Sequence, residues 1–108
     1  MFKPEKHDDF LIIKLVESKS NSIDISNIEE LKEVLNKAIE EGNKKILVDF
    51  SNITYIDSSG LGGLMDAMKQ LKEKGGELGI LSISKDVLEV FTATKVAQFF
   101  KFYKNINM

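Results

Sequence analysis

Apolar residues in this 108-residue chain fall into two kinds of pattern, which alternate along the sequence. Short and nearly continuous apolar runs are typical of strands near the centre of a sheet. They occupy residues 10–17, 45–50 and 77–83. Between these runs, apolar residues recur every three to four positions, which predicts amphipathic helices. Strands that alternate with helices of this length predict an α/β fold with a largely parallel sheet.

Capping residues predict where the helices begin and end. Ser26 followed by Glu29 has the spacing of a capping box, and Gly42 is placed to end the first helix in the left-handed conformation. The second helical pattern covers residues 61–74, and a pair of glycines follows it. Ser84 is the predicted N-cap of a third helix of about ten residues.

Three segments give weaker signals. Residues 18–26 are polar turn formers with two isoleucines, which predicts a loop. The N-terminal segment carries the only histidine, His7, and is expected to be frayed. The tail, residues 99–106, is apolar enough to pack back on the domain as a strand or a short helix.

The stretch YIDSSGLGGLM, residues 55–65, joins a β-type run to the second helix. Its two serines lie at or just before the helix start, where backbone N–H groups lack partners, so either serine can act as a cap. Three glycines follow within four positions: Gly60, Gly62 and Gly63. Each costs about 0.5–1 kcal/mol inside a helix, so their number indicates a close approach by the sheet below or by a partner above.

The overall composition excludes several classes of function. A net charge of −2 argues against nucleic acid as the main partner, and no apolar run is long enough to span a bilayer. The segment MFKPEKHDDF has no apolar signal-peptide core, and the lack of cysteine excludes disulfides and cysteine metal sites. We expect one cytoplasmic domain over residues 1–108, with no nucleic-acid partner, no membrane partner, no metal and no cofactor.

The turn at residues 55–65 lacks the groups that a catalytic serine needs. His7 is the only histidine that could serve as a base, and the sequence has no G-x-S-x-G elbow. A receiver domain phosphorylated on Asp57 is an open alternative, although the acidic pair at residues 8–9 precedes the first strand instead of ending it. The chemistry that remains is phosphorylation of a serine by another enzyme, because a helix N-terminus tolerates the added charge.

The segment ILVDFSNITYIDSSGLGGLMDAMKQLKEKGGEL, residues 46–78, resembles the signature region of bacterial anti-sigma factor antagonists of the STAS-domain family. The resemblance implies a single STAS-like domain with a mixed, mostly parallel β-sheet and helices packed mainly on one side. It also implies that an anti-sigma factor with serine kinase activity binds this protein and phosphorylates Ser58. The unphosphorylated form would capture the anti-sigma factor and release the sigma factor, and a serine phosphatase would reset the cycle.

On this resemblance the protein is not an enzyme, and its functional residues form a partner-binding surface. The predicted contacts are Asp24, Asp57, Ser58, Ser59, Gly60 and Gly62. The early loop SNSIDIS lacks the glycine that the family usually carries, and Asp24 in it is either an acidic contact or a turn former. Ser59 is expected to act mainly as a helix cap. The alternative function is a STAS scaffold or binding subunit in a stress-signalling or transport-associated complex.

Overall fold

The computed structural model describes residues 1–16 and 21–105. Its strands are Phe2–His7 (β1), Phe10–Leu15 (β2), Ser22–Ile23 (β3), Lys45–Asp49 (β4), Tyr55–Ile56 (β5), Glu77–Leu81 (β6) and Lys101–Tyr103 (β7). Its α-helices are Ile28–Glu40 (α1), Ser58–Glu73 (α2) and Lys85–Ala93 (α3), and a 3₁₀ turn covers Ala97–Phe99. Within these ranges no helix is long and apolar enough to cross a lipid bilayer.

Five strands form the main sheet, in the order β1-β2-β4-β6-β7. Strands β1 and β2 are antiparallel, whereas the remaining neighbours are parallel. The predicted mixed and mostly parallel sheet is therefore confirmed. Strands β3 and β5 form a separate parallel pair, in which Ser22 lies beside Tyr55 and Ile23 beside Ile56.

The main core lies between one face of this sheet and the helices. Ile13, Val48 and Ile80 lie in one row across the strands, and each is fully buried. The apolar faces of α1, α2 and α3 pack on that face, as the helical periodicity predicts. Phe91 of α3 holds one end of the core together. Its ring makes edge contacts with the rings of Phe50, Phe100 and Phe102, at centroid distances of 6.0, 5.5 and 5.9 Å.

The opposite face of the sheet carries a smaller apolar cluster to which no described helix contributes. Its centre consists of Ile12, Leu47 and Leu81, which are only 1–4% exposed. Side chains of the sheet itself cover this centre. The ammonium group of Lys45 lies 5.9 Å from the Phe10 ring centroid and 5.4 Å from that of Tyr103. The lysine stem thus bridges two aromatic rings and keeps its charge at the surface.

The predicted frayed N-terminus is wrong, because residues 2–7 form the edge strand β1. Phe2 is buried, and its N–H donates to the Glu30 carboxylate at 2.7 Å. The segment FKPEKH gives little strand signal because it contains lysines and a proline. Such residues are typical of sheet edges, which must not recruit another strand.

Other boundaries differ from the predictions by a few residues. The predicted loop 18–26 contains β3, although residues 17–20 lie outside the described part of the chain. Helix α1 follows Asn27, which makes no side-chain capping bond, so the prediction of Ser26 as a cap is wrong. Helix α2 begins at Ser58 rather than at residue 61. The first turn of α2 has too few apolar side chains to show the helical period.

Several local predictions are confirmed. Gly42 has a φ of +93° just after α1, which is the left-handed conformation expected at a helix end. Ser84 caps α3 through a bond from the Val87 N–H to its hydroxyl oxygen at 3.3 Å. The three predicted core strands are β2, β4 and β6, and the tail returns as the 3₁₀ turn and β7, which pairs in parallel with β6.

Replacing Phe91 by alanine should destabilise the domain by about 3–5 kcal/mol, because the substitution leaves a cavity among three other aromatic rings. Phe99→Ala is the matched control. That ring is 45% exposed, so its removal should cost less than about 1 kcal/mol. Urea denaturation of both variants measures the difference, and equal losses would contradict this description of the core.

Candidate functional site

Asp57 is the N-cap residue of α2. Its backbone is extended, with φ −104° and ψ −178°, and its carboxylate Oδ1 accepts from the Gly60 N–H at 2.8 Å. The prediction that Ser58 or Ser59 caps this helix is therefore wrong. Aspartate, serine and asparagine cap about equally well, and a carboxylate also interacts favourably with the positive end of the helix dipole.

The second oxygen of Asp57 joins the helix to a distant turn. Oδ2 accepts from the Ile25 N–H at 3.1 Å, and the N–H of Asp57 donates to the Ile23 carbonyl at 3.2 Å. One carboxylate thus fixes the start of α2 to the turn between β3 and α1. The predicted proximity of the Asp24 loop and the Ser58 turn is confirmed, but it occurs at the ends of β3 and β5 rather than at the edge of the main sheet.

The turn between β3 and α1 is organised around Asp24. Its Oδ2 accepts from the Ser22 hydroxyl at 2.7 Å, and its Oδ1 accepts from the Ser26 N–H at 2.9 Å and from the Ser26 hydroxyl. The Asn27 side chain accepts from the Asp24 N–H at 3.0 Å and donates to the Ser22 carbonyl at 2.8 Å. Asp24 is therefore a turn former, as one of its two interpretations predicts.

These bonds to the charged carboxylate lower the pKa of Asp24 from its usual 3.8. The Ser26 hydroxyl contributes most, followed by the Ser22 hydroxyl and the Ser26 N–H. Asp24 consequently carries its negative charge throughout the physiological range. The Asp24 side chain is half-buried, so part of it stays accessible to solvent.

The two serines of the turn are left with free hydroxyls. Ser58 is the first residue of α2 and is exposed, and Ser59 is half-buried. Within the part of the chain that the structure describes, neither hydroxyl and neither backbone N–H of this pair makes a hydrogen bond. Because Asp57 does the capping, Ser58 presents an unbonded nucleophilic oxygen beside two N–H donors at the positive end of a helix.

The three glycines of the turn have different surroundings. A Cβ on Gly60 would lie 2.6 Å from the Ile23 carbonyl oxygen, and one on Gly63 would collide with the Ile28 side chain. Close packing inside the domain thus accounts for these two glycines. A Cβ on Gly62 would have no neighbour within 4 Å. Gly60 is buried against Ile23 beneath the turn, whereas Gly62 is exposed to solvent.

The sequence interpretation missed two exposed apolar side chains near Ser58. Ile25 is 76% exposed in the turn that Asp57 holds, and Tyr55 of β5 is 58% exposed. Ile25 follows Asp24 directly in the sequence, but only the fold shows that it points outwards. Within residues 1–16 and 21–105, no cluster of histidine, aspartate or glutamate could hold a metal ion.

Comparisons with known proteins agree on the family. The STAS domain model matches residues 2–107. The anti-sigma-B factor antagonist of Staphylococcus epidermidis is 33% identical over 88 residues, which cover 82% of this chain and 78% of that protein. This identity over most of both chains goes beyond a shared motif.

Solved structures show the same fold. A Thermotoga maritima crystal structure, assigned provisionally as an anti-sigma factor antagonist, has a TM-score of 0.84 and 25% identity, and the match covers 97% of this chain and 87% of that one. The Bacillus cell fate determinant SpoIIAA in its phosphorylated form has a TM-score of 0.71 at 22% identity, over 96% of this chain and 92% of that one. The helices on one side of a mixed sheet are thus a shared architecture.

Alanine at Gly60 and at Gly62 should have opposite effects on stability. Gly60→Ala places a methyl group against backbone and should destabilise the domain by about 1–3 kcal/mol. Gly62→Ala meets nothing and should stabilise it by roughly 0.5–1 kcal/mol, because alanine is the better helix former. Thermal and urea unfolding of the two variants test this contrast. Destabilisation by Gly62→Ala would show that an internal contact requires this glycine.

The Asp24 carboxyl should titrate below 3.8, and Ser26→Ala should move its pKa upwards because the largest stabilising bond is lost. A lowered folded-state pKa contributes stability above the unfolded-state pKa, and this contribution is lost as the pH falls through the folded-state value. NMR titration of the carboxyl carbon in both proteins is the measurement. An unchanged pKa in Ser26→Ala would exclude that hydroxyl as the main cause.

Proposed function

Because this chain belongs to the STAS-domain family, we propose that it is an anti-sigma factor antagonist whose binding is controlled by phosphorylation of Ser58. An antagonist of this kind acts by binding, so the chain is not an enzyme. The name of its curated relative supports the role of antagonist over that of a scaffold in a stress-signalling or transport-associated complex. The partner is an anti-sigma factor with serine kinase activity, in the bacterial cytoplasm.

One observation carries the proposal of a phosphorylation switch: Ser58 is exposed and free because Asp57 performs the capping. A hydroxyl that capped the helix would have to leave its N–H partner before it could react. The free Ser58 hydroxyl can enter a kinase site while α2 keeps its cap. Its oxygen attacks the γ-phosphorus of ATP, the hydroxyl proton leaves, and ADP is released.

The phosphate then acts through its charge at a rigid surface. It adds about −1.5 to −2 charges next to the N–H groups of Ser58 and Ser59 and to the helix dipole, so the fold itself tolerates it. A kinase that is still bound there holds ADP, whose phosphates are also negatively charged and therefore repel the phosphate on Ser58. A penalty of ~3 kcal/mol lowers affinity by about a hundredfold. A serine phosphatase removes the group by hydrolysis and restores binding.

The proposed contact surface surrounds Ser58. Asp57, Ser59 and Gly62 belong to the start of α2, and Asp24 belongs to the turn that Asp57 holds beside it. Gly60 is part of this site in an indirect way, since its missing side chain allows Ile23 to approach α2. Asp24 serves both as a turn former and as an acidic group at the rim.

We expect that incubation with ATP and the anti-sigma factor kinases of the same genome adds a single phosphate to Ser58. Ser58→Ala should bind the kinase and resist phosphorylation, whereas Ser58→Asp should bind more weakly, because it places a negative charge at the same point. Mass spectrometry with peptide mapping locates the phosphate.

Ser59→Ala is the matched control for this experiment. The Ser59 hydroxyl also makes no hydrogen bond within the described residues, but Ser59 is half-buried. Phosphorylation of Ser58 should therefore proceed normally in Ser59→Ala. Phosphate on Ser59 alone, with Ser58 unmodified, would overturn the assignment.

A further inference from the structure

A groove of about 370 Å³ runs between α1 and α2 beside Ser58. Residues 59, 62, 63 and 66 of α2 form one wall with the spacing of one helix face. Residues 28, 29 and 32 of α1 form the other wall, and Ile25 in the preceding turn extends it. The seven-residue span of the α2 wall corresponds to about 10 Å, so this wall is two helical turns long. This feature is called the α1–α2 groove below.

Gly62 is the reason to regard this groove as a docking site. Glycine inside a helix costs stability, and only a special backbone conformation or a close neighbour accounts for it within the fold. Gly62 has neither, because its φ is not positive and no atom lies within 4 Å of a built Cβ. The bare backbone at Gly62 forms part of the groove wall. An approaching molecule can contact it there more closely than any side chain would permit.

Ile25 provides a second and independent observation. Its side chain is 76% exposed, yet its backbone is fixed, because its N–H is bound to Asp57 and the adjacent Ser26 is bound to Asp24. An exposed apolar side chain on a rigid turn loses little entropy when a partner covers it. It lies on the groove wall that faces Gly62.

The rim of the groove indicates the charge of its occupant. Glu29 and Asp66 carry negative charge, and the single lysine, Lys32, lies 3.7 Å from the Asp66 carboxylate. Asp24 and Asp57 add two more carboxylates at the end near Ser58. The described groups at this surface therefore have an acidic excess, which favours a basic partner.

We propose that the α1–α2 groove receives an amphipathic helix of the anti-sigma factor kinase, with an apolar side chain seated between Ile25 and Gly62 and basic residues against the rim. The inference rests on the proposed function and specifies how the partner is held while Ser58 enters its active site. A groove between two helices, two turns long on its α2 wall and with two isoleucines on the opposite wall, suits a helix better than an extended strand.

The test measures affinity for each purified anti-sigma factor kinase of the same genome, with a non-hydrolysable ATP analogue so that Ser58 stays unmodified. Gly62→Leu fills the groove and Ile25→Ser removes the anchor, and each should weaken binding at least tenfold. Gly62→Ala, which is expected to raise stability, should weaken binding by less than Gly62→Leu. Glu29→Lys should weaken binding at low salt, and the effect should fade at high salt.

Phe99→Ser is the matched control, because it also removes an exposed apolar ring but lies outside the groove. Its affinity should equal that of the wild type. Thermal melts establish that each variant is folded at the temperature of the binding measurement, so that the affinities of folded proteins are compared.

The outcomes separate the groove from the proposed function. If the wild type binds none of these kinases, the proposed function fails, and the groove assignment fails with it. If the wild type binds and both Gly62→Leu and Ile25→Ser bind equally well, only the groove assignment is overturned. Tighter binding by Glu29→Lys would likewise exclude a basic occupant. Loss of a self-associated dimer in Gly62→Leu, with unchanged kinase affinity, would assign the groove to a second copy of this chain.

Discussion

The carboxylate of Asp57 is the interaction on which the arrangement of this surface depends. One oxygen caps α2 through Gly60, and the other holds the turn that carries Ile25. Both elements are therefore fixed relative to each other by a single side chain. Because Asp57 makes these bonds, Ser58 does not cap the helix, and a phosphate added to Ser58 changes the surface charge without removing a cap.

The main architecture could be predicted because it depends on continuous apolar patterns. Strands β2, β4 and β6 are buried by α1, α2 and α3, and burial demands apolar side chains at regular intervals. The two strands that the sequence patterns did not predict, β1 and β3, have no such requirement. Strand β1 is an edge strand made mostly of polar residues, and β3 is only two residues long and is defined by its pairing with β5.

The turn that forms the candidate site could be selected from its motif, but its internal bonding could not be predicted. Aspartate and serine are comparable N-caps, and the prediction named the serines at residues 58 and 59, whereas the geometry assigns the cap to Asp57. The role of Asp24 was open because its partners, Ser22 and Ser26, are close in sequence and need a particular turn to reach it. The direction of the Ile25 side chain depends on a bond to a residue far along the chain, which no local pattern contains.

Strand β1 has a consequence for how such a protein behaves at high concentration. A competitor acts by mass action, and its free concentration determines how much of the anti-sigma factor it occupies. The outer edge of β1 contains Pro4, which lacks an N–H, between Lys3 and Lys6, whose charges repel a second copy of the strand. A chain that paired edge to edge with another copy would lower the free concentration that is available to bind the anti-sigma factor. The polar outer edge of β1, which gave little strand signal in the sequence, thus disfavours the edge-to-edge pairing of two chains.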